Sequence, residues 1–281
     1  MKFICYIGIL LCLTGLLSSC VEDNAFDEDE IQNNVPKIKA ITDKYEVGLF
    51  DMSLLELSSE KFPKNSAMNS FMYSELLDSV VWVIPGEFVQ KSTQSNFLAK
   101  KGQVFIQPAT YSFYIAGFKN GKKVDQDSLE IQVVNKHDFL GVNWTAVKDS
   151  SYITYDNNIL DFSLNLKTYQ TENGPLATLV YQFSSEPIQE NRGNRAERSK
   201  LFLKEYISSL YGLAKAEAKN TNAIDEALIK RFKANFNYKL STGVQPLAVW
   251  ETQKSTIALL EHRNPDNSDD HYYWIVAEPR K

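Results

Sequence analysis

Ser79-Val80-Val81-Trp82-Val83-Ile84-Pro85-Gly86 is a β-branched run with one tryptophan inside it, stopped by a proline and a glycine. Valine and isoleucine suit the pleated, buried setting of a strand, and Pro-Gly ends one. Trp82 has a valine on either side, so it reads as a core side chain, with a ligand-stacking ring as the alternative. Further strand signals lie on both sides of this run. Lys37-Ile38-Lys39-Ala40-Ile41 alternates, and residues 47–57 form a second β-rich stretch. Val104-Phe105-Ile106 and Tyr111-Ser112-Phe113-Tyr114-Ile115 follow, then Leu129-Glu130-Ile131-Gln132-Val133 with clean period-2 alternation. Asn120-Gly121, between the last two, is a favoured hairpin turn.

About seven short strands in 100 residues around a buried tryptophan outline an immunoglobulin-like sandwich. The order Val47-Gly48, Val81-Trp82-Val83-Ile84-Pro85-Gly86, Pro108-Ala109-Thr110-Tyr111 and Asn120-Gly121 resembles a PKD-type Ig-like domain. The resemblance covers about a third of the chain. It implies that Trp82 fills the core between two sheets and that Pro-x-x-Tyr opens a late strand. An Asp-rich glycine loop normally follows the tryptophan strand in that family and is missing here. Such domains serve as spacers or adhesive modules, so the resemblance says little about function.

The composition shifts near residues 135–137. Residues 142–147 and 152–155 read as short strands. Leu160, Phe162, Leu164 and Leu166 alternate with polar residues, and Asn173-Gly174-Pro175 turns the chain into Leu179-Val180-Tyr181-Gln182-Phe183, a half-buried hairpin. The period then changes. Asn194 and Glu197 form a cap pair. Phe202, Tyr206, Leu210 and Leu213, with Leu203, Ile207 and Ala214, make one apolar helical face. Ile224, Leu228 and Phe232 mark a second helix capped at Thr221 or Asn222. Strands at 247–250, 256–262 and 272–277 close the chain. Two domains are expected: an all-β Ig-like (PKD-like) sandwich at 37–136, then an α+β domain at 137–281 whose two helices cover one face of an antiparallel sheet.

Ahead of these, Lys2 and the apolar run from Phe3 to Leu17 read as a secretory signal over residues 1–20. Leu17-Ser18-Ser19-Cys20 resembles the lipobox of bacterial lipoproteins. The resemblance implies cleavage before Cys20, a diacylglycerol thioether on its sulfur and an acylated amino terminus, which anchors the chain firmly because each buried methylene adds about 0.8 kcal/mol. An ordinary cleaved signal is the alternative. Glu22, Asp23, Asp27, Glu28, Asp29 and Glu30 make residues 21–36 a self-repelling, disordered acidic tether. A similar acidic run marks surface-exposed lipoproteins of some Gram-negative bacteria; a solvated spacer on the periplasmic face is the other reading. Of the three cysteines, Cys5 and Cys12 leave with the signal and Cys20 takes lipid, which excludes thiol catalysis and thiolate metal sites.

A formal charge of −5 gives no electrostatic footprint for nucleic acid. No nucleophile elbow, zinc-protease helix, phosphate loop or dinucleotide fingerprint is present. A two-carboxylate hydrolase is neither supported nor rejected by 35 acidic residues. His262 and His271, if they face each other across a loop at 263–270 with Asp266 between, could hold a metal; an exposed polar hairpin tip is the plainer reading. Asp266-x-Ser268-x-Asp270 fails as a calcium loop because His271 and Ala277 stand where glycine and glutamate are needed. Arg192, Arg195, Arg198 and Lys200 are either a solvated helix start or a surface for an anionic partner. Trp250, Tyr272 and Trp274 stack ligands if they share an exposed face, and are core if they do not. No cofactor is implied. The expected function is non-catalytic recognition of a glycan or a partner protein at the outer membrane, with an envelope polysaccharide or peptidoglycan hydrolase, or a structural subunit of an adhesion or transport assembly, as alternatives.

Overall fold

Period-2 alternation becomes strand through most of the chain. In this computed structural model the described residues are 37–84, 86, 88–93, 100–157, 159–183, 192–219, 224–264 and 267–280, except 59–76. The signal, Cys20 and the acidic segment lie outside them. In chain order the strands are β1 (Lys39–Thr42), β2 (Glu46–Gly48), β3 (Met52–Ser58), β4 (Ser79–Ile84), β5 (Phe88–Thr93), β6 (Lys100–Val104), β7 (Ala109–Lys119) and β8 (Lys122–Val134). Then come β9 (Ser151–Asn157), β10 (Phe162–Thr171), β11 (Gly174–Phe183), β12 (Ala216–Glu217), β13 (Val244–Glu251), β14 (Ser255–Asn264) and β15 (Asn267–Pro279). The helices are α1 (Arg192–Tyr211) and α2 (Glu226–Asn235).

The first eight strands make two sheets, ordered β1-β3-β6 and β2-β8-β7-β4-β5. All pairs are antiparallel except β2 and β8, which run parallel with Val47 opposite Val133. Trp82 is fully buried on β4, in a cluster with Leu55, Leu57, Phe113 and Ile131 drawn from both sheets. The Asp125 and Asp127 carboxylates accept from the Ile38 and Ala40 amides at 2.7 and 2.9 Å, which fastens the segment at 38–40 to β8. Asn120 and Gly121 both take positive φ, 51° and 72°, as a type I′ turn between β7 and β8 requires. The second β-rich stretch divides into β2 and β3 at Phe50, whose φ is 56°.

The later strands form one antiparallel sheet, β12-β13-β14-β15-β11-β10-β9. Its two faces are read off by alternation. Ile257, Leu259, Ile275 and Ala277 join the cluster that holds Leu203, Tyr206 and Ile207 of α1, whereas Ala258, Leu260 and Val276 join the one that holds Leu228 and Phe232 of α2. The helices therefore cover opposite faces, not one, because the two apolar stripes are met by residues of opposite parity. Helix α1 begins at Arg192, ahead of the expected cap at Asn194, and Leu213 lies beyond its end, 87% exposed. Helix α2 is capped by Asp225, whose carboxylate accepts from the Leu228 amide at 3.0 Å. Thr221 and Asn222 lie outside the described residues.

Residues 142–147 are not a strand. Among the described residues they pair with no strand, and Trp144 is held instead by stacking on Phe139 at 6.3 Å and by an Nε1 bond to Ser255 Oγ at 2.9 Å. This connection is closely fixed. Asp138 accepts from Thr252 Oγ1 at 2.5 Å and from the Lys254 amide at 2.9 Å, and the Tyr211 hydroxyl donates to the Asp138 carbonyl at 3.2 Å. His137, Asp138 and Leu140 all have positive φ. A Cβ on Gly141, at φ +75°, would sit 2.4 Å from the Leu49 carbonyl oxygen, so only glycine fits there. The larger cluster runs from Ile38 to Ala277, and Pro36–Lys281 is one compact unit.

Candidate functional site

The hairpin of β14 and β15 organises the site. Its register pairs His262 with Tyr272 and Arg263 with His271, and the strands extend to Asn264 and Asn267. Glu261, a charged residue in an otherwise apolar stretch, has no exposed surface. Its Oε1 accepts from His271 Nε2 at 2.7 Å, Arg263 Nη2 at 2.9 Å and the Tyr273 hydroxyl at 3.1 Å, and its Oε2 from Gln245 Nε2 at 2.6 Å. Burial alone would raise this carboxyl. The Gln245 amide, the His271 ring, the Arg263 charge and the Tyr273 hydroxyl outweigh burial and hold it below the ordinary glutamate range.

Tyr273 carries the network to α1. Its hydroxyl also lies 3.0 Å from Glu197 Oε1, so one phenol stands between two carboxylates and donates to one at a time. Burial, then the charges of Glu261 and Glu197, push its ionisation far upward. Glu197 pairs with Lys200, whose ammonium lies 5.6 Å from the Tyr273 ring centre. Burial raises the Glu197 carboxyl, but bonds from Lys200 and Tyr273 leave it below its usual value.

Beside this network the sheet opens. The ladder between β11 and β15 ends at Leu179 and Ile275. Beyond it, residues 180–183 and 271–274 border a cleft of about 550 Å³, bounded on a third side by Arg195, Ala196 and Ser199 of α1. On the α2-side face of β15 runs a row of rings. His262 stacks on Tyr272 at 4.8 Å, and Tyr272 meets Trp274 at 5.4 Å with a 33° tilt. Tyr272 is 51% exposed, and Trp274 is half-buried. On the α1 wall, the Arg198 guanidinium lies 4.8 Å from the centre of the Phe183 ring.

The candidate residues thus separate. Trp250 is 1% exposed, on the α1-side face, with Nε1 donating to the Gly212 carbonyl at 3.1 Å; it is core and does not join Tyr272 and Trp274. His262 and His271 project from opposite faces of the hairpin because one pairs with Tyr272 and the other with Arg263, so they cannot grip one metal ion. Asp266 and the side chain of Arg192 lie outside what is described. Among the described residues no group of three His, Cys, Asp or Glu is placed to hold a metal. Glu261 and Tyr273 were not singled out in the sequence, and Glu197 only as the cap partner of Asn194. The available signal was Glu261 within an apolar strand, with His271 and Tyr273 two apart on the next.

No family model matches the sequence, and no curated protein matches it. Among solved structures, one from Thermobifida fusca YX described as a thioesterase II aligns over 82% of this chain and 92% of its own, at 6% identity and a TM-score of 0.14. So low a score shows no common fold.

Proposed function

We propose that this is a non-catalytic binding protein of the cell envelope, held to the outer membrane by lipid on Cys20, displayed at the cell surface, and recognising a glycan at the opening between β11 and β15. The observation that carries the glycan reading is the His262, Tyr272 and Trp274 row at the border of that cleft. Exposed rings present flat apolar faces on which the C–H face of a pyranose can lie, with polar groups beside them to fix orientation. The order β1-β3-β6 and β2-β8-β7-β4-β5 around Trp82 supports an Ig-like, PKD-type spacer in the first half. The lipobox and the acidic segment support the address.

The test has two arms. Metabolic labelling with a radioactive fatty acid should mark the full chain and not Cys20→Ala. Affinity electrophoresis against a polysaccharide panel should show retardation by one glycan class, lost in Tyr272→Ala. Free migration in every polysaccharide gel would sink the glycan reading in favour of a protein partner.

One observation favours a hydrolase instead: Glu197 and Glu261 share the Tyr273 hydroxyl beside a cleft. Two-carboxylate hydrolysis needs one carboxyl kept protonated as an acid and another open to the substrate. Glu261 has no exposed surface, accepts from four donors and is held ionised, and Glu197 is also lowered. Both shifts run away from the protonated form that an acid needs, and Glu261 is closed to a substrate, so binding is the stronger reading.

A further inference from the structure

Helix α2 packs on one part of its side of the late sheet, where Leu228 and Phe232 cluster with Leu176, Val249, Leu260 and Val276. The same face continues across β11, β10 and β9, and there it turns polar. Asn165 of β10 lies at its middle, 5% exposed. Its Oδ1 accepts from the Tyr152 hydroxyl at 2.5 Å and from the Thr154 hydroxyl at 2.9 Å, both on β9. Its Nδ2 donates to Gln182 Oε1 on β11 at 2.8 Å. Parity puts Gln182 on the side of Tyr272 and Trp274, because Leu179 and Ile275, paired at the end of the β11–β15 ladder, both belong to the α1-side cluster. Gln182, Tyr272 and Trp274 all border the cleft. One face therefore carries, strand after strand, the Tyr152 ring, the Asn165 and Gln182 amides, and the ring row of β15.

Resting on the glycan reading, we infer that the ligand is a neutral, linear saccharide, bound along its chain across β15, β11, β10 and β9 with several sugar rings held at once. The length of the surface supports a chain. From His262 on β14 to Tyr152 on β9 there are four strand spacings of about 4.8 Å, so the row spans roughly 19 Å, more than a single sugar covers. Exposed rings stand at both ends, Tyr272 at 51% and Tyr152 at 62%, so each end can take the C–H face of a pyranose. Between them the polar groups are set in advance. With its oxygen on Asn165, Gln182 presents its Nε2 hydrogens as donors, and the Tyr152 and Thr154 hydroxyls, donating to Asn165, turn their lone pairs outward as acceptors. Groups fixed beforehand lose little freedom when sugar hydroxyls meet them. The charges support a neutral chain. On this face of β9, β10 and β11 the charged residues are Lys167 and Asp156. The Lys167 ammonium lies 5.3 Å from the Tyr169 ring centre, drawn along β10 away from Asn165, and the exposed Asp156 carboxylate opposes an acidic polymer.

The experiment uses the full-length chain in detergent micelles. It is titrated calorimetrically with β-1,4-linked oligomers of mannose, xylose and glucose and α-1,4-linked oligomers of glucose, from one to six units long, and with galacturonate oligomers of the same lengths. The expected result is binding of at least one neutral series, tightening about tenfold or more from the disaccharide to the longest oligomer and little affected by salt. Tyr152→Ala should remove most of that gain with length while leaving the disaccharide affinity in place, and Gln182→Ala should do the same as a second variant. Tyr272→Ala should weaken every length. Tyr152 and Gln182 are exposed, so both variants should keep the parent melting curve. Equal affinity at every length, a preference for galacturonate, or long oligomers bound as tightly by Tyr152→Ala as by the parent overturns this inference and leaves the glycan reading intact. Absence of binding to every saccharide overturns both.

Discussion

The Tyr206 hydroxyl, on α1, donates to the Ile106 carbonyl at 2.7 Å, and both residues are buried. The bond joins the helix that borders the cleft to a segment one hundred residues earlier, just past the end of β6. Tyr206→Phe keeps the ring and leaves that carbonyl without its partner. It should lower stability by about 1–3 kcal/mol, the usual cost of an unsatisfied buried acceptor. A urea titration should show the midpoint move while the unfolding remains one transition.

Gly141 is the second fixed point between the early and late strands. Gly141→Ala places a methyl against the Leu49 carbonyl in a conformation that alanine resists. We expect a loss of about 3 kcal/mol, well above an ordinary surface change. Thermal melts distinguish this from Gly121→Ala, where the turn demands positive φ but nothing lies within 4 Å of the added atom. The Gly121 variant should be the milder of the two.

Trp250 and Tyr272 should behave oppositely. Trp250→Ala opens a cavity in the core and should destabilise by about 3–5 kcal/mol. Tyr272→Ala removes a half-exposed ring and should leave the melting temperature within a few degrees of the parent. Comparable melting losses in both would mean that Tyr272 is structural and the ring row is not a binding surface.

The Glu261 network predicts a pH signature with a definite sign. Its folded pKa is depressed, so its contribution is fully present above the unfolded value, about 4.3, and disappears as pH falls through the lower folded value. Glu261→Gln cannot make that transition. Between about pH 5 and pH 3 the parent protein should lose stability more steeply than the variant, and the two curves should run parallel above pH 6. Glu197 shifts in the same direction but is half exposed, so solvent damps its share.

Much of the strand order was legible because alternation is a local signal. The hairpin around Asn173-Gly174 holds Phe162 opposite Phe183, as the pattern required. The site was less legible because it depends on register, which is set by distant partners. Tyr272 and Trp274 share a face by parity alone. His262 and His271 were set on one face by an assumed loop from 263 to 270; the strands run almost to the tip, and the true pairing sends the rings to opposite sides. Trp250 sits one strand away from β14, and its face follows from pairing with Ile257, which nothing local announces. The engagement of Glu261 by four donors from three strands was likewise beyond any short-range pattern, as was Asp225 taking the cap of α2. The missing strand at 142–147 teaches the same point. A β-prone sequence becomes a strand only where tertiary contacts pair it, and here Trp144 is taken up by Phe139 and Ser255.

The parallel pairing of β2 with β8 has a mechanical consequence. Glu46, Val47 and Gly48 lie beside Gln132, Val133 and Val134, the Gln132 amide donates to the Tyr45 carbonyl at 2.8 Å, and Lys136 meets Glu46 at 2.7 Å. A pull applied between the start of the described chain and the later sheet draws β2 and β8 past each other along their length. Their bonds then bear load together, in shear, where an antiparallel hairpin pulled from its open end would yield one rung at a time. Behind the β1–β3 ladder and the bonds from Ile38 and Ala40 to Asp125 and Asp127, the β2–β8 pair is thus the stretch that resists such a pull as a unit.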